Sequence, residues 1–159
     1  MRETILMSAC LAGLRTRYDG RAHTYPRLAE LTERLIVVPV CPEVLGGLGI
    51  PRPICRFVGG DGFRVLEGTA KIMDQTGRDC TACFVRGAQE VDRVVQLTAP
   101  RFILFKEGSP SCGVRRVDIE GEKQPGCGVA TALVRRYGIP ILTEEDSLGV
   151  LWHKYGRTT

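Results

Sequence analysis

Apolar residues in this chain fall in short continuous runs, separated by longer stretches with a helical period. Ile5-Leu6-Met7, Ile36-Val37-Val38 and Phe102-Ile103-Leu104-Phe105 have the length and branching of strands buried on both faces. They predict strands over residues 4–9, 36–40 and 102–105. Between the first two, Pro26 suits the first position of a helix, and Leu28, Leu31 and Leu35 share one face of it. Asp79 is placed to cap a second helix running to about Leu97, with Phe84, Ala88, Val91, Val94 and Val95 as its apolar stripe. Residues 129–137 predict a third helix, closed by Gly138 with Pro140 beyond it. Residues 140–142 give a last short strand. Thr143-Glu144-Glu145-Asp146 has the form of a capping box that opens a terminal helix, with Leu148, Leu151 and Tyr155 inward.

Two segments interrupt this alternation. Residues 57–77 read as a small hairpin, with strands over 63–66 and 70–73 joined around Gly68. Residues 107–128 read as one long loop, and long loops in compact domains usually carry function. Strand, helix and parallel strand in repeated succession predict the α/β class. The expectation is a single doubly wound domain over residues 1–159, with a mostly parallel sheet, helices on both faces and a small hairpin excursion.

Composition narrows the function. The 159 residues are 43% apolar and 25% charged, enough for a core without covalent staples. The net charge of +4 is spread along the chain without a basic cluster, so no nucleic-acid footprint is visible. No run approaches the roughly 20 apolar residues of a membrane span. The first apolar run is shorter than the minimum of about 7 for a secretory segment, and reads as a strand. A cytoplasmic protein is therefore expected. The seven cysteines are odd in number and irregularly spaced, which fits reduced thiols rather than a disulfide framework.

Three of these cysteines occupy equivalent places. Cys10, Cys41 and Cys112 each follow a predicted strand, and all three sit in turns rich in Pro, Gly or Ser. In a parallel sheet the carboxyl ends of the strands form one edge, where such folds build ligand sites. Cysteines 31 and 71 residues apart would then meet in space. Three thiolates can hold an iron–sulfur cluster or a zinc ion, and either leaves a coordination position open if no fourth ligand arrives. Glu43, two residues after Cys41, should share that space and suits a general acid or base. Ser109 and Ser111 flank Pro110 and can bond to a cluster, a substrate or the turn itself. Lys106 can pair with Glu43 or with a substrate oxygen, and Asp19 offers a local turn bond. Cys80-Thr81-Ala82-Cys83 lacks the setting of a redox motif and reads as packing, as do Cys55 and Cys127. His23 and His153 have no metal-ligand spacing.

Taken together, SACLAGLRTRYDG, VPVCPEVLGGLGIPRP, FKEGSPSCG and GCGVATALVRRYGIPILTEED resemble the thiouracil desulfurase family over nearly the whole chain. The resemblance implies a 4Fe–4S cluster held by Cys10, Cys41 and Cys112, with one iron free to bind the sulfur of a thiolated pyrimidine. It implies proton handling by Glu43 and assistance at the substrate by Ser109. Asp19, Lys106 and Ser111 are further candidates for substrate contact. The implied reaction turns 2-thiouracil and water into uracil and sulfide without net redox. The chain departs from the family pattern at Thr16, where a second cysteine is common, and at Arg56, where an acidic residue is common. Two other classes use the same thiols: a non-catalytic iron–sulfur or sulfur carrier or sensor, which would not need Glu43, and a metal-free enzyme with Cys112 as nucleophile.

Overall fold

The computed structural model describes residues 1–155, apart from the side chains of 151 and 153–155. In chain order the elements begin with β1 (Thr4–Ser8), α1 (Leu28–Arg34), β2 (Ile36–Val40), α2 (Pro42–Leu45), β3 (Cys55–Val58), α3 (Gly62–Glu67) and β4 (Lys71–Asp74). They continue with α4 (Thr81–Thr98), β5 (Ile103–Phe105), β6 (Arg116–Ile119), β7 (Glu122–Pro125), α5 (Val129–Val134), β8 (Ile141–Thr143) and α6 (Leu148–Tyr155).

The apolar runs form one parallel sheet in the order β2-β1-β5-β8. Its pleat divides the side chains between two layers. Ile5, Met7 and Leu104 pack with Leu31 and Leu35 from α1 and its end, and with Leu148 and Trp152 of α6. Leu6, Ile103 and Phe105 pack on the other face against Val91 and Val95 of α4 and Val134 of α5. Helices therefore cover both faces, which is why these strands are apolar at successive positions rather than alternate ones. The chain leaves β1 toward β2 and returns on the far side to β5. The β1/β5 boundary is thus a topological switch point, and the crevice there opens at the carboxyl ends of the strands.

The excursion is larger than a hairpin. A second sheet, in the order β4-β3-β6-β7, joins the antiparallel pair β3/β4 to the hairpin β6/β7 through a parallel contact at Phe57 and Ile119. Its core of Phe57, Ile72 and Val117 packs on Phe84 of α4 and Val129 of α5. The strand expected over 63–66 is instead helix α3. Asp61 Oδ1 accepts the Phe63 N–H at 3.2 Å, and Gly68 ends the helix in the left-handed region at φ 81°. The partner of β4 is β3, where Cys55 and Phe57 are buried and Arg56 and Val58 exposed. Within the expected loop 107–128, β6 and β7 form a hairpin whose second strand, Glu-Lys-Gln-Pro, carries no apolar signal. Thr143 and Asp146 close a turn of their own, with the Thr143 N–H donating to Asp146 Oδ2 at 2.8 Å. Ser147 then opens α6, accepting the Val150 N–H at 3.4 Å. Leu148 is buried as expected; the side chains of Leu151, His153 and Tyr155 lie outside the described ones.

The segment after Cys41 is also helical: α2 crosses α4 in direct backbone contact. A Cβ on Gly87 would lie 2.0 Å from the Pro42 carbonyl oxygen, and one on Gly46 would lie 2.0 Å from that of Cys83. Gly87→Ala gains about 1 kcal/mol of helix propensity, but overpacking against rigid backbone costs about 3 kcal/mol. A net loss of about 2 kcal/mol is expected in urea unfolding; a variant as stable as wild type would contradict the close crossing.

Candidate active site

Each cysteine reaches the sheet edge from a different element. Cys10 lies two residues past β1, Cys41 directly precedes α2, and Cys112 sits in the loop after β5. All three line one cavity of about 410 Å³, together with Glu43, Lys106, Ser109 and Ser111. Thr16, Arg17, Tyr18, Arg52 and Cys55 complete much of its wall. The backbone is arranged to hold these thiols. The Lys106 N–H donates to Ser8 Oγ at 2.9 Å, stitching the end of β5 to that of β1. Glu107, 4% exposed, turns its carboxylate inward and accepts the N–H groups of Gly108, Val114 and Arg115 at 3.1, 2.8 and 3.1 Å. A buried carboxylate satisfied by main-chain donors fixes the loop that carries Cys112. The start of α5 adds to this, as Val129 and Ala130 donate to the carbonyls of Pro110 and Ser111 at 3.0 Å each.

Burial pushes the Cys10 thiol up to about 11, and the neighbouring Cys41 adds to the effect. Burial also raises Cys41, while N–H groups of Val44 and Glu43 at the start of α2 favour its thiolate. Cys112 is 4% exposed and is raised furthest of the three, again by burial, with both other thiols contributing. Ser111 Oγ lies 3.7 Å from its sulfur. Three thiolates in this one cavity would require positive charge among them, a demand that a metal group meets.

Glu43 is held between two partners. Its Oε1 lies 3.3 Å from Arg52 Nε, and its Oε2 accepts from Ser111 Oγ at 3.3 Å. Ser109 Oγ in turn lies 2.9 Å from Ser111 Oγ and accepts the N–H groups of Ser111 and Cys112 at 3.1 and 3.2 Å. With Ser111 donating to Glu43, Ser109 donates to Ser111, and the three form a directed line of hydrogen bonds.

One candidate borders the cavity with a different partner, and one lies outside its lining. Lys106 borders the cavity but pairs with Glu144 Oε1 at 2.6 Å, not with Glu43. Asp19 is exposed and accepts the Arg21 N–H at 3.0 Å in a turn; its neighbours Arg17 and Tyr18 line the cavity and it does not. His23 is exposed. Cys80 of the C-x-x-C segment has its sulfur against Cys55 from the facing strand, and both belong to the core around Phe57 and Phe84. Arg52 and Glu107 were not legible as site residues. Arg52 stands between two prolines in a Gly-rich loop, and a charge enclosed in so rigid a segment is the signal that could have found it.

The 2-thiouracil desulfurase family model matches residues 5–146. An uncharacterized protein of Bacillus subtilis strain 168, YbbK, is 34% identical over 150 residues, covering 92% of this chain and 99% of its own. Among solved structures, the 4Fe–4S-dependent thiouracil desulfidase TudS is 35% identical and superposes with a TM-score of 0.80, over 96% of this chain and 98% of its own. Motifs, parallel sheet and matched length agree: this chain belongs to the 2-thiouracil desulfurase family.

Proposed function

We propose that this protein removes sulfur from a small thiolated base such as 2-thiouracil, giving uracil and sulfide without net redox, at a 4Fe–4S cluster held by Cys10, Cys41 and Cys112. The observation that carries this reading is the convergence of three buried thiols and the Glu43–Ser111–Ser109 line on one cavity.

The donor set fits such a cluster: the thiols of Cys10, Cys41 and Cys112 line the cavity, among the described residues no imidazole does, and thiolates are the ligands iron–sulfur clusters take. When bound, the cluster supplies a soft Lewis-acidic iron suited to a thione sulfur.

The chain's own residues account for the proton movements. Adding water across the thione carbon and expelling sulfide requires a base for the water and an acid for the departing sulfur or ring nitrogen. Glu43 is the carboxylate placed for both, taking a proton at Oε2 and giving it back. The Ser111 hydroxyl orients that oxygen, and Ser109, fixed by two N–H groups, sets the direction of the Ser111 hydroxyl. A carrier or sensor would have no use for a carboxylate aimed in this way. A metal-free Cys112 nucleophile would have to ionise a thiol that burial keeps protonated. The seven unpaired cysteines suit the reducing cytoplasm, where this reading places the protein. Among the described residues, no helix is long and apolar enough to cross a membrane.

The test is anaerobic reconstitution with iron and sulfide, followed by incubation with 2-thiouracil. One sulfide released per uracil formed is expected. Protein that binds about four irons per chain yet releases no sulfide would refute the desulfurase reading.

A further inference from the structure

Arg52 stands apart from the other cationic residues at the cavity. Its side chain is 5% exposed, and its three guanidinium nitrogens each have a separate partner. Nη2 donates to the Thr16 carbonyl at 2.9 Å, in the loop that begins at Cys10. Nη1 donates to the Gly49 carbonyl at 3.2 Å, three residues back in its own segment, which follows α2 and through it Cys41. Nε faces Glu43 Oε1 at 3.3 Å. The backbone joins the same junction, with the Arg52 N–H donating to the Tyr18 carbonyl at 2.9 Å. The Thr16 carbonyl also lies 3.8 Å from the Cys41 sulfur. Through Glu43 and Ser111 the connections extend to the loop of Cys112. One guanidinium thus links all three cysteine loops, while only one of its partners is charged.

From this geometry we infer that Arg52 is a positioning residue for Glu43. Its two main-chain anchors hold the guanidinium still, so its third donor fixes the carboxylate on the side facing away from Ser111. Glu43 Oε2 is thereby presented to the cavity in one orientation. A planar fork with donors in three directions is needed, and a lysine ammonium on a flexible stem reproduces only part of it. The inference rests on the proposed function for its kinetic consequence, though not for its geometry.

Two measurements test it. The first is a crystal structure of cluster-free Arg52→Gln, which requires no activity. Glu43 is expected to leave Ser111, with Oε2 beyond hydrogen-bond distance; a carboxylate still seated on Ser111 Oγ overturns the inference, whatever the reaction proves to be. The second compares reconstituted wild type, Arg52→Gln, Arg52→Lys, Glu43→Gln and the double variant Arg52→Gln/Glu43→Gln. Misplacing a reacting group by about 1 Å costs on the order of 100-fold. Arg52→Gln should lower kcat by about that factor, with KM and iron content unchanged, and Arg52→Lys should recover part of the loss. The double variant should be no slower than Glu43→Gln alone, because residues acting as one unit do not add. Additive losses, or a fall in iron content that accounts for the lost activity, would overturn the inference by showing that Arg52 only braces the loops. An active Glu43→Gln variant would instead count against the proposed role of Glu43, and the crystal structure would still decide the placement.

Discussion

Cys112→Ser should abolish both the cluster and turnover while leaving the fold in place. Cys112 is 4% exposed at the floor of the cavity, against Ser111 and the two other thiols. Serine is nearly isosteric there, and its hydroxyl finds hydrogen-bond partners in the neighbouring serines, so the polar change leaves no buried group unsatisfied. As a ligand it fails, because an alcohol ionises far less readily than a thiol and presents a hard oxygen to soft iron. Iron after anaerobic reconstitution should fall from about four per chain to below about one, and sulfide release should fall by at least about 1,000-fold. Urea unfolding of the two cluster-free proteins should differ by less than about 1 kcal/mol. Full iron content in the variant would remove Cys112 from the ligand set. A large loss of stability without the cluster would make the thiol a packing residue instead.

Glu43→Gln should separate the cluster from the chemistry. The amide is the same size and can still accept from Ser111 or Arg52 through its oxygen, so the α2 region should keep its shape. What disappears is the capacity to take and return a proton. Loss of a positioned general acid–base group lowers kcat by about 100- to 10,000-fold, and this range is expected here with iron content and visible absorption as in wild type. Cysteine variants and Glu43→Gln thus fail in different observables. A Glu43→Gln variant with wild-type kcat would direct attention to the Ser109–Ser111 pair or to water alone as the proton carrier.

The regular elements were largely legible because burial on both faces forces a visible pattern. The run 102–105 predicts a strand, and β5 (Ile103–Phe105) is buried at every position, whereas β2 at the sheet edge is buried only at Val40. The misread segments lack that pressure. Residues 63–66 are apolar at Phe63, Val65 and Leu66, a short pattern that either element can show, and the capping bond from Asp61 and the left-handed Gly68 make them a helix. In β7 all four residues are polar or Pro, and the strand exists because β6 offers a ladder to pair with. The TEED segment carries capping chemistry and uses it on itself, so that Glu144 becomes free to hold Lys106.

The site divides along the same line. That Cys10, Cys41, Glu43 and Cys112 share one cavity is legible in the sequence because the carboxyl ends of parallel strands share one edge, while Ser109 enters through the SPSCG motif of the family resemblance. Arg52, Glu107 and the loss of Asp19 from the cavity could not be named. They depend on contacts between loops 36 residues apart, as from Arg52 to Thr16, and on a carboxylate turning inward to meet main-chain N–H groups of its own loop. Strand positions follow from local periodicity, which one chain displays in its own residues; the order β2-β1-β5-β8 and the second sheet come from pairing between distant segments. Loop junctions follow from which charges are left without water when the chain closes, and that is settled only in three dimensions.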